Sequence, residues 1–216
     1  MNLWTKFPER FPEKSLAFTL ARVKLKAMIA RINLPLVAIL FTGLLCSSCS
    51  NDVQPSAKAD AAQIQVASTA FEDGQPIPEK YSGQGDNVSP PLNWDGATTQ
   101  TKSLAVICED PDAPSGTFTH WIMYNIPPTT TSLDENIPKG QSMVYGFFQG
   151  KNDFGNIGYG GPAPPAGKLH HYVFRVYALD IILLLQAGGD RSDLVSAMNG
   201  HVIGQGELTG TFQTGN

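Results

Sequence analysis

The sequence predicts a mostly β fold, a single sandwich-like domain carrying one or two short helices. Three observations predict it. Glycine and proline supply 21 and 16 of the 216 residues, and they cluster so that only short stretches are left for regular structure. Those stretches either alternate apolar with polar residues or run continuously apolar, which are the two patterns of half-buried and fully buried strands. Charged residues make up only 16% of the chain, against about 25% in ordinary domains. That excludes a coiled coil and a charge-driven disordered chain.

The elements follow in chain order. Residues 50–62 (SNDVQPSAKADAA) are small and polar and read as a flexible tether. Gln63–Phe71 (QIQVASTAF) alternates as a strand does. Residues 72–102 are rich in turn formers, with Gly74, Pro76, Pro78, Gly83, Gly85, Pro90, Pro91 and Gly96. Ser103–Glu109 (SLAVICE) is a buried strand, and Thr119–Ile126 (THWIMYNI) is an aromatic one that Pro127 and Pro128 stop. A second Gly/Pro region covers 146–168. His171–Leu179 (HYVFRVYAL) alternates again, and Ile181–Leu185 is a short apolar segment. One helix is well marked. Asp190 caps it, Asp193 sits near its positive end, Leu194, Val195 and Met198 form its apolar stripe, and Gly200 ends it. Gly206–Phe212 (GELTGTF) reads as the last strand.

Charge divides the chain in two. Residues 1–48 hold seven Lys/Arg and two Asp/Glu, and the remainder holds eight and 17, so a leader of +5 precedes a body of −9. The acidic body has no basic cluster for nucleic acid, and an anionic membrane surface repels it. In the leader, Arg31 precedes the apolar run Ile32–Leu45 (INLPLVAILFTGLL), and small residues follow. The run is shorter than the roughly 20 residues of a membrane span, and the order of basic, apolar and small residues is that of a secretory signal. Met28 offers a second start, so residues 1–27 read as a mis-assigned start or as part of what is removed. Ser47-Ser48-Cys49 resembles a bacterial lipoprotein signal, in which Cys49 becomes the lipidated N-terminus, although Cys46 stands where that signal has an aliphatic residue. The alternative is simple secretion. The expected organisation is a leader over 1–48, a tether over 49–62 and a domain over 63–216, held at the bacterial cell envelope by a lipid on Cys49. The one remaining cysteine, Cys108, lies in an apolar strand and cannot form an intramolecular bridge with another body cysteine.

Chemistry concentrates in two Pro-rich stretches that each lead into a strand at a histidine. Asp110-Pro-Asp112-Ala-Pro114 runs on to His120-Trp121, and Gly161-Pro-Ala-Pro164-Pro165-x-Gly167 runs on to His170-His171-Tyr172. Proline fixes φ, so such loops cost little entropy to order and suit a preformed pocket wall. The simplest reading of Asp110 and Asp112 is that they hold a turn. With Ser89-Pro-Pro-Leu-Asn-Trp94, Tyr177-Ala-Leu-Asp180 and Gly200-His-Val-Ile203, these stretches resemble the phosphatidylethanolamine-binding protein family, which includes Raf kinase inhibitor protein, over roughly residues 64–213.

The resemblance implies a β-sandwich with a small anion pocket at one end that accepts phosphate-type groups, including the phosphorylethanolamine head group. Carried over, the pocket uses Asp110, His120, His170 and Tyr172, with backbone from Gly161 to Pro164, and Asp112 as a second carboxylate holding the turn. Two imidazoles, a phenol and loop N–H groups supply donors to a phosphate without any Lys or Arg. A carboxylate beside them accepts from an imidazole N–H and fixes its tautomer, or meets an ammonium. Strand alternation turns His171 away from the face shared by His170 and Tyr172. Many relatives carry Arg at the position of His171, and eukaryotic ones carry a further C-terminal helix, so kinase inhibition is not carried over. The sequence has no G-x-S-x-G elbow, no HExxH or CxxC spacing and no P-loop. The reading is therefore a non-enzymatic binder of a small anion or phosphorylated head group, with no cofactor and no metal. The alternative is an inhibitor or regulator of a partner protein, such as a protease or kinase, through the pocket rim.

Overall fold

Side-chain alternation along three central strands decides the architecture. The computed structural model describes residues 53–140 and 146–215. The leader over 1–48 and Cys49 lie outside the described residues. Strands β4 (Ser103–Asp110), β5 (Phe118–Ile126) and β8 (Leu169–Leu179) are buried almost throughout. On one face Leu104, Val106, Cys108, Trp121, Met123, Phe174 and Val176 meet Ile64, Leu92, Trp94 and Leu133. On the other face Ala105, Ile107, Ile122, Tyr124 and Leu179 meet Leu183, Leu194, Val195 and Met198. A sheet buried on both faces needs continuous apolar strands, which is why SLAVICE carries no polar alternation.

The larger sheet has six strands in the order β1-β9-β8-β4-β5-β7, where β1 is Ala57–Gln63, β7 is Phe148–Gln149 and β9 is Val202–Gln213. All its pairings are antiparallel except β1 with β9. The smaller sheet joins β2 (Gln65–Ala67), β3 (Leu92–Asp95) and β6 (Ser132–Leu133) in the order β2-β3-β6. It covers the first face, and helix α1 (Arg191–Met198) with the 181–185 segment covers the second. The helix starts as expected. Asp190 accepts from the backbone N–H of Asp193, Asp193 answers to the N–H of Asp190, and Gly200 follows the end with a φ of 79°.

Three expectations need correcting. The segment read as a flexible tether is a strand from Ala57 onward, paired in parallel with β9 through Ala57 with Val202 and Gln63 with Gln205. Its small polar residues suit a sheet edge that needs little apolar surface. The close approach requires glycine opposite, because a Cβ on Gly206 would lie 1.8 Å from the Ile64 carbonyl oxygen. The single strand expected over Gln63–Phe71 is broken at Ile64, where the chain leaves the larger sheet for the smaller one with Ile64 buried between them. The turn-rich region 72–102 also contains β3 and a 3-10 turn at Glu79–Tyr81.

The N-terminal strap leads from β1 across to α1. Buried Glu109 receives Arg175 (2.6 Å), Arg191 and the side-chain amide of Gln54 (3.0 Å). No helix among the described residues is long and apolar enough to cross a membrane.

Candidate functional site

The first-face core ends in polar residues where β4, β5 and β8 run out at the same edge. Asp110 is the last residue of β4, and His170 and Tyr172 sit two apart near the start of β8, so both side chains share the face of Phe174 and Val176. His120 reaches that face by a different device. Cys108 pairs with Trp121 and Glu109 with Thr119, which leaves His120 as the extra residue of a β-bulge. A bulge bends the strand and re-aims one side chain. Here it lets His120 join Phe118 on the pocket side although Trp121, next in sequence, enters the core.

Together these residues line a cavity of about 270 Å³. Its floor is Asp110, His120, His170 and Tyr172, and its walls are Phe118, Phe154 and the two Pro-rich loops at Ala113–Ser115 and Ala163–Pro165. All four floor residues are buried, at 3% exposure or less. Of the seven site residues expected from sequence, five line this cavity: Asp110, His120, Pro164, His170 and Tyr172. Asp112 and Gly161 do not. Asp112 lies outside and accepts both the backbone N–H and the Nδ1–H of His171, at 2.8 and 2.7 Å, so it anchors the start of β8. Those contacts outweigh its partial burial and hold its pKa below the usual carboxylate value. Gly161 packs behind the wall, where a Cβ would lie 2.3 Å from the Tyr81 carbonyl oxygen.

The hydrogen bonds on the floor fix both imidazoles. His170 donates from Nδ1 to Asp110 Oδ2 at 2.7 Å, and the other carboxylate oxygen accepts the Asp112 N–H at 2.9 Å. His120 donates from Nδ1 to the Gly160 carbonyl at 2.7 Å, and its own carbonyl accepts the Gly160 N–H at 2.9 Å. A carbonyl cannot donate, so the proton on this ring is at Nδ1. The His120 ring also packs edge-on against Tyr172 and Phe154, at 5.1 and 5.4 Å between centroids. Burial in this aromatic setting pushes its pKa below the usual imidazole value, against the hydrogen bond to Gly160 and the charge of Asp110. The neutral ring therefore presents a bare Nε2.

Tyr172 completes the floor. Its hydroxyl is fully buried and makes no hydrogen bond of acceptable geometry with any described residue. Burial and the nearby Asp110 carboxylate push its pKa well above that of a free phenol, so it is a neutral donor. Sequence reasoning missed Phe154, Phe118 and Gly160. Gly160 has no chemistry to mark it, and Phe154 belongs to a loop that only long-range contacts bring to the pocket. His201 donates to Asp180 at 2.8 Å, away from the cavity. No group of three or more His, Cys, Asp or Glu among the described residues is placed to hold a metal ion.

Comparisons with known proteins bear on the family and the fold. The family model described as phosphatidylethanolamine-binding protein matches residues 67–213. A UPF0098 protein of Methanothermobacter thermautotrophicus is 50% identical over 152 residues, covering 70% of this chain and 100% of that protein. A UPF0098 protein of Pyrococcus horikoshii is 50% identical over 149 residues, covering 68% and 75%. Among solved structures, a phosphatidylethanolamine-binding protein homologue of Chlamydia trachomatis superposes with a TM-score of 0.63 at 41% identity, covering 72% of this chain and 99% of the other. YbcL of E. coli, described as a member of the mammalian family, superposes with a TM-score of 0.65 at 34% identity, covering 70% and 98%.

Proposed function

The chain belongs to the phosphatidylethanolamine-binding protein family, and from that premise we propose that it binds a small phosphorylated anion reversibly, without turnover. One observation carries the reading. The Tyr172 hydroxyl is buried with no well-formed hydrogen bond, next to the Asp110 carboxylate and two imidazoles whose Nδ1 atoms are already engaged. A buried polar group left unpaired costs about 1–3 kcal/mol, and an anion oxygen at this point removes that cost. A phosphate oxygen accepts from Tyr172 and, where a ring carries a proton on both nitrogens, from Nε2–H of His170 and of His120. Asp110 orients His170 and accepts from the 112 backbone, so its negative charge is met by donors rather than turned on the ligand. The walls are apolar and largely prolyl, which suits a small preformed site. Ser115 stands in the wall but makes no hydrogen bond to either imidazole, so it is not an activated nucleophile.

Tyr172→Phe tests this. Removing an unpaired hydroxyl leaves stability unchanged or slightly higher, while phosphate affinity falls about tenfold with the loss of one donor to a charged acceptor. Amide NMR titration with inorganic phosphate and phosphorylethanolamine, beside a denaturant melt, reads both. Equal affinity in Tyr172→Phe and the parent rejects the site.

We further propose that the domain works at the bacterial cell envelope, tethered by a lipid on Cys49. The leader sequence supports this, with small residues Ser47-Ser48 immediately before Cys49. Mass spectrometry of the mature protein is expected to find an acylated N-terminal Cys49. An intact Met1 or Met28 in the membrane fraction rejects the anchor.

A further inference from the structure

A second and larger cleft, of about 710 Å³, adjoins the anion pocket. Phe154 and Ala163 line both, so Phe154 is a shared wall rather than a boundary. Its ring stands edge-on to Phe118, 4.7 Å between centroids, and it is 46% exposed. The cleft's volume falls in the usual range for small-molecule sites, about 300–1,000 Å³. The pocket alone has room for little beyond a head group.

The polar groups of the cleft fall into two sets. One set holds the protein together. The backbone N–H groups of Gly160 and Gly161 donate to the His120 carbonyl and the Asn87 side chain, and that of Gly83 donates to Pro162. Both ends of the Asn152 side chain are likewise engaged, with Gly158 and Asn156 backbone. The other set has no protein partner among the described residues. Asn87 uses only Oδ1, toward Gly161 at 2.7 Å, which leaves its NH2 group. The side chains of Asn156 and Lys139 make no hydrogen bond or ion pair with any described residue. These three come from separate segments of the chain and converge on one cleft. Asn87 is held there at a φ of 55°, a conformation that few residues other than glycine adopt.

Resting on the anion reading above, we propose that the cleft recognises a sugar: the ligand is a sugar phosphate, with its phosphate on His120, His170 and Tyr172 and its ring beyond Phe154. An extended peptide docks by adding to an unpaired strand edge, and the backbone donors of Gly83, Asn152, Asn156, Gly160 and Gly161 in this cleft are already used. What is left is two carboxamides and an ammonium. A carboxamide offers both a donor and an acceptor, which matches a hydroxyl that is itself both. The exposed Phe154 ring supplies an apolar surface for the C–H face of the sugar, next to the point where the phosphate ester enters the pocket.

The test compares glucose 1-phosphate with inorganic phosphate on the same protein by calorimetry and amide NMR. The sugar phosphate is expected to bind at least about tenfold more tightly, the worth of two further hydrogen bonds. Its added shifts should fall at Asn87, Asn156 and Gly160–Gly161. In the double variant Lys139→Gln/Asn156→Ala, whose side chains make no hydrogen bond with any described residue, the affinity ratio should drop toward one. Equal affinities, with shifts confined to the histidine pocket, overturn the sugar assignment and leave the anion site standing. Absence of binding by phosphate itself overturns the anion reading and the sugar assignment together.

Discussion

His170→Leu is expected to lower the unfolding free energy by about 3–5 kcal/mol, the usual cost of breaking a buried pair from one side. The size follows from what is left behind. Asp110 and His170 have side-chain exposures of 5% and 2%. Removing the imidazole takes away the donor to Oδ2 and strands a carboxylate in a cavity walled by Phe118, Tyr172 and prolines. The remaining Asp112 N–H on Oδ1 satisfies only half of it. The control is the double variant Asp110→Leu/His170→Leu. Replacing both partners with apolar residues removes the stranded charge, so much of the lost stability should return. Denaturant unfolding reads both, with an unchanged m-value showing that the folded and unfolded ensembles are otherwise the same. A loss under about 1 kcal/mol in the single variant would mean that water reaches Asp110 freely, and the buried-pair description would fail. The same variant should lose phosphate binding, because it removes one of three donors on the floor.

How much of this arrangement is legible in the sequence depends on how local its causes are. Strands β4 and β5 were legible because both of their faces are buried, and burial leaves an apolar run in the sequence, whereas β8 was legible from the alternation in HYVFRVYAL, although the structure buries it on both faces. Helix α1 was legible because its cap is local, with Asp190 and Asp193 three residues apart. Strand β1 was not. AKADAAQ has no apolar face, and its order comes from a partner some 140 residues away in sequence. Strand β3 buries only Leu92 and Trp94, too short a run to show a period of two. In the site, the resemblance to a family pointed to Asp110, His120, His170 and Tyr172, and the structure brings all four into one cavity. Alternation correctly turned His171 outward, where it pairs with Asp112. The bulge that re-aims His120 left no mark in THWIMYNI, because it exists only in the pairing with Cys108 and Glu109. Nor did the sequence show that a backbone carbonyl, not a carboxylate, holds the His120 proton. That difference decides the charge on the ring.

Anion affinity is therefore expected to fall steeply as pH rises, and His120 is expected to be the reason. Burial puts its pKa in the empty protein below the usual value of about 6.5. The neutral ring, with its proton held by Gly160, turns the bare Nε2 to the ligand, and a lone pair facing a phosphate oxygen is repulsive. Protonation converts the same atom into a charged donor. Binding thus takes up a proton at His120 wherever the empty site is neutral and the filled one is not. Affinity rises on acidification across that window by up to about tenfold per pH unit. Sulfate is the cleaner probe, because its charge does not change between pH 5 and 8. Stability of the empty protein moves the opposite way. The unfolded chain protonates this histidine near its ordinary value, the folded chain only at lower pH. Between the two the unfolded state holds more protons, and stability falls with falling pH. His120→Asn should flatten both curves, since the carboxamide can still donate to the Gly160 carbonyl but does not titrate. Sulfate affinities of parent and variant measured from pH 5 to 8, with unfolding over the same range, isolate the contribution. A pH slope that persists undiminished in His120→Asn assigns the proton to another group. A pH-independent affinity in the parent would mean that neutral donors alone hold the anion, with Tyr172 and the N–H groups sufficient and His120 part of the wall.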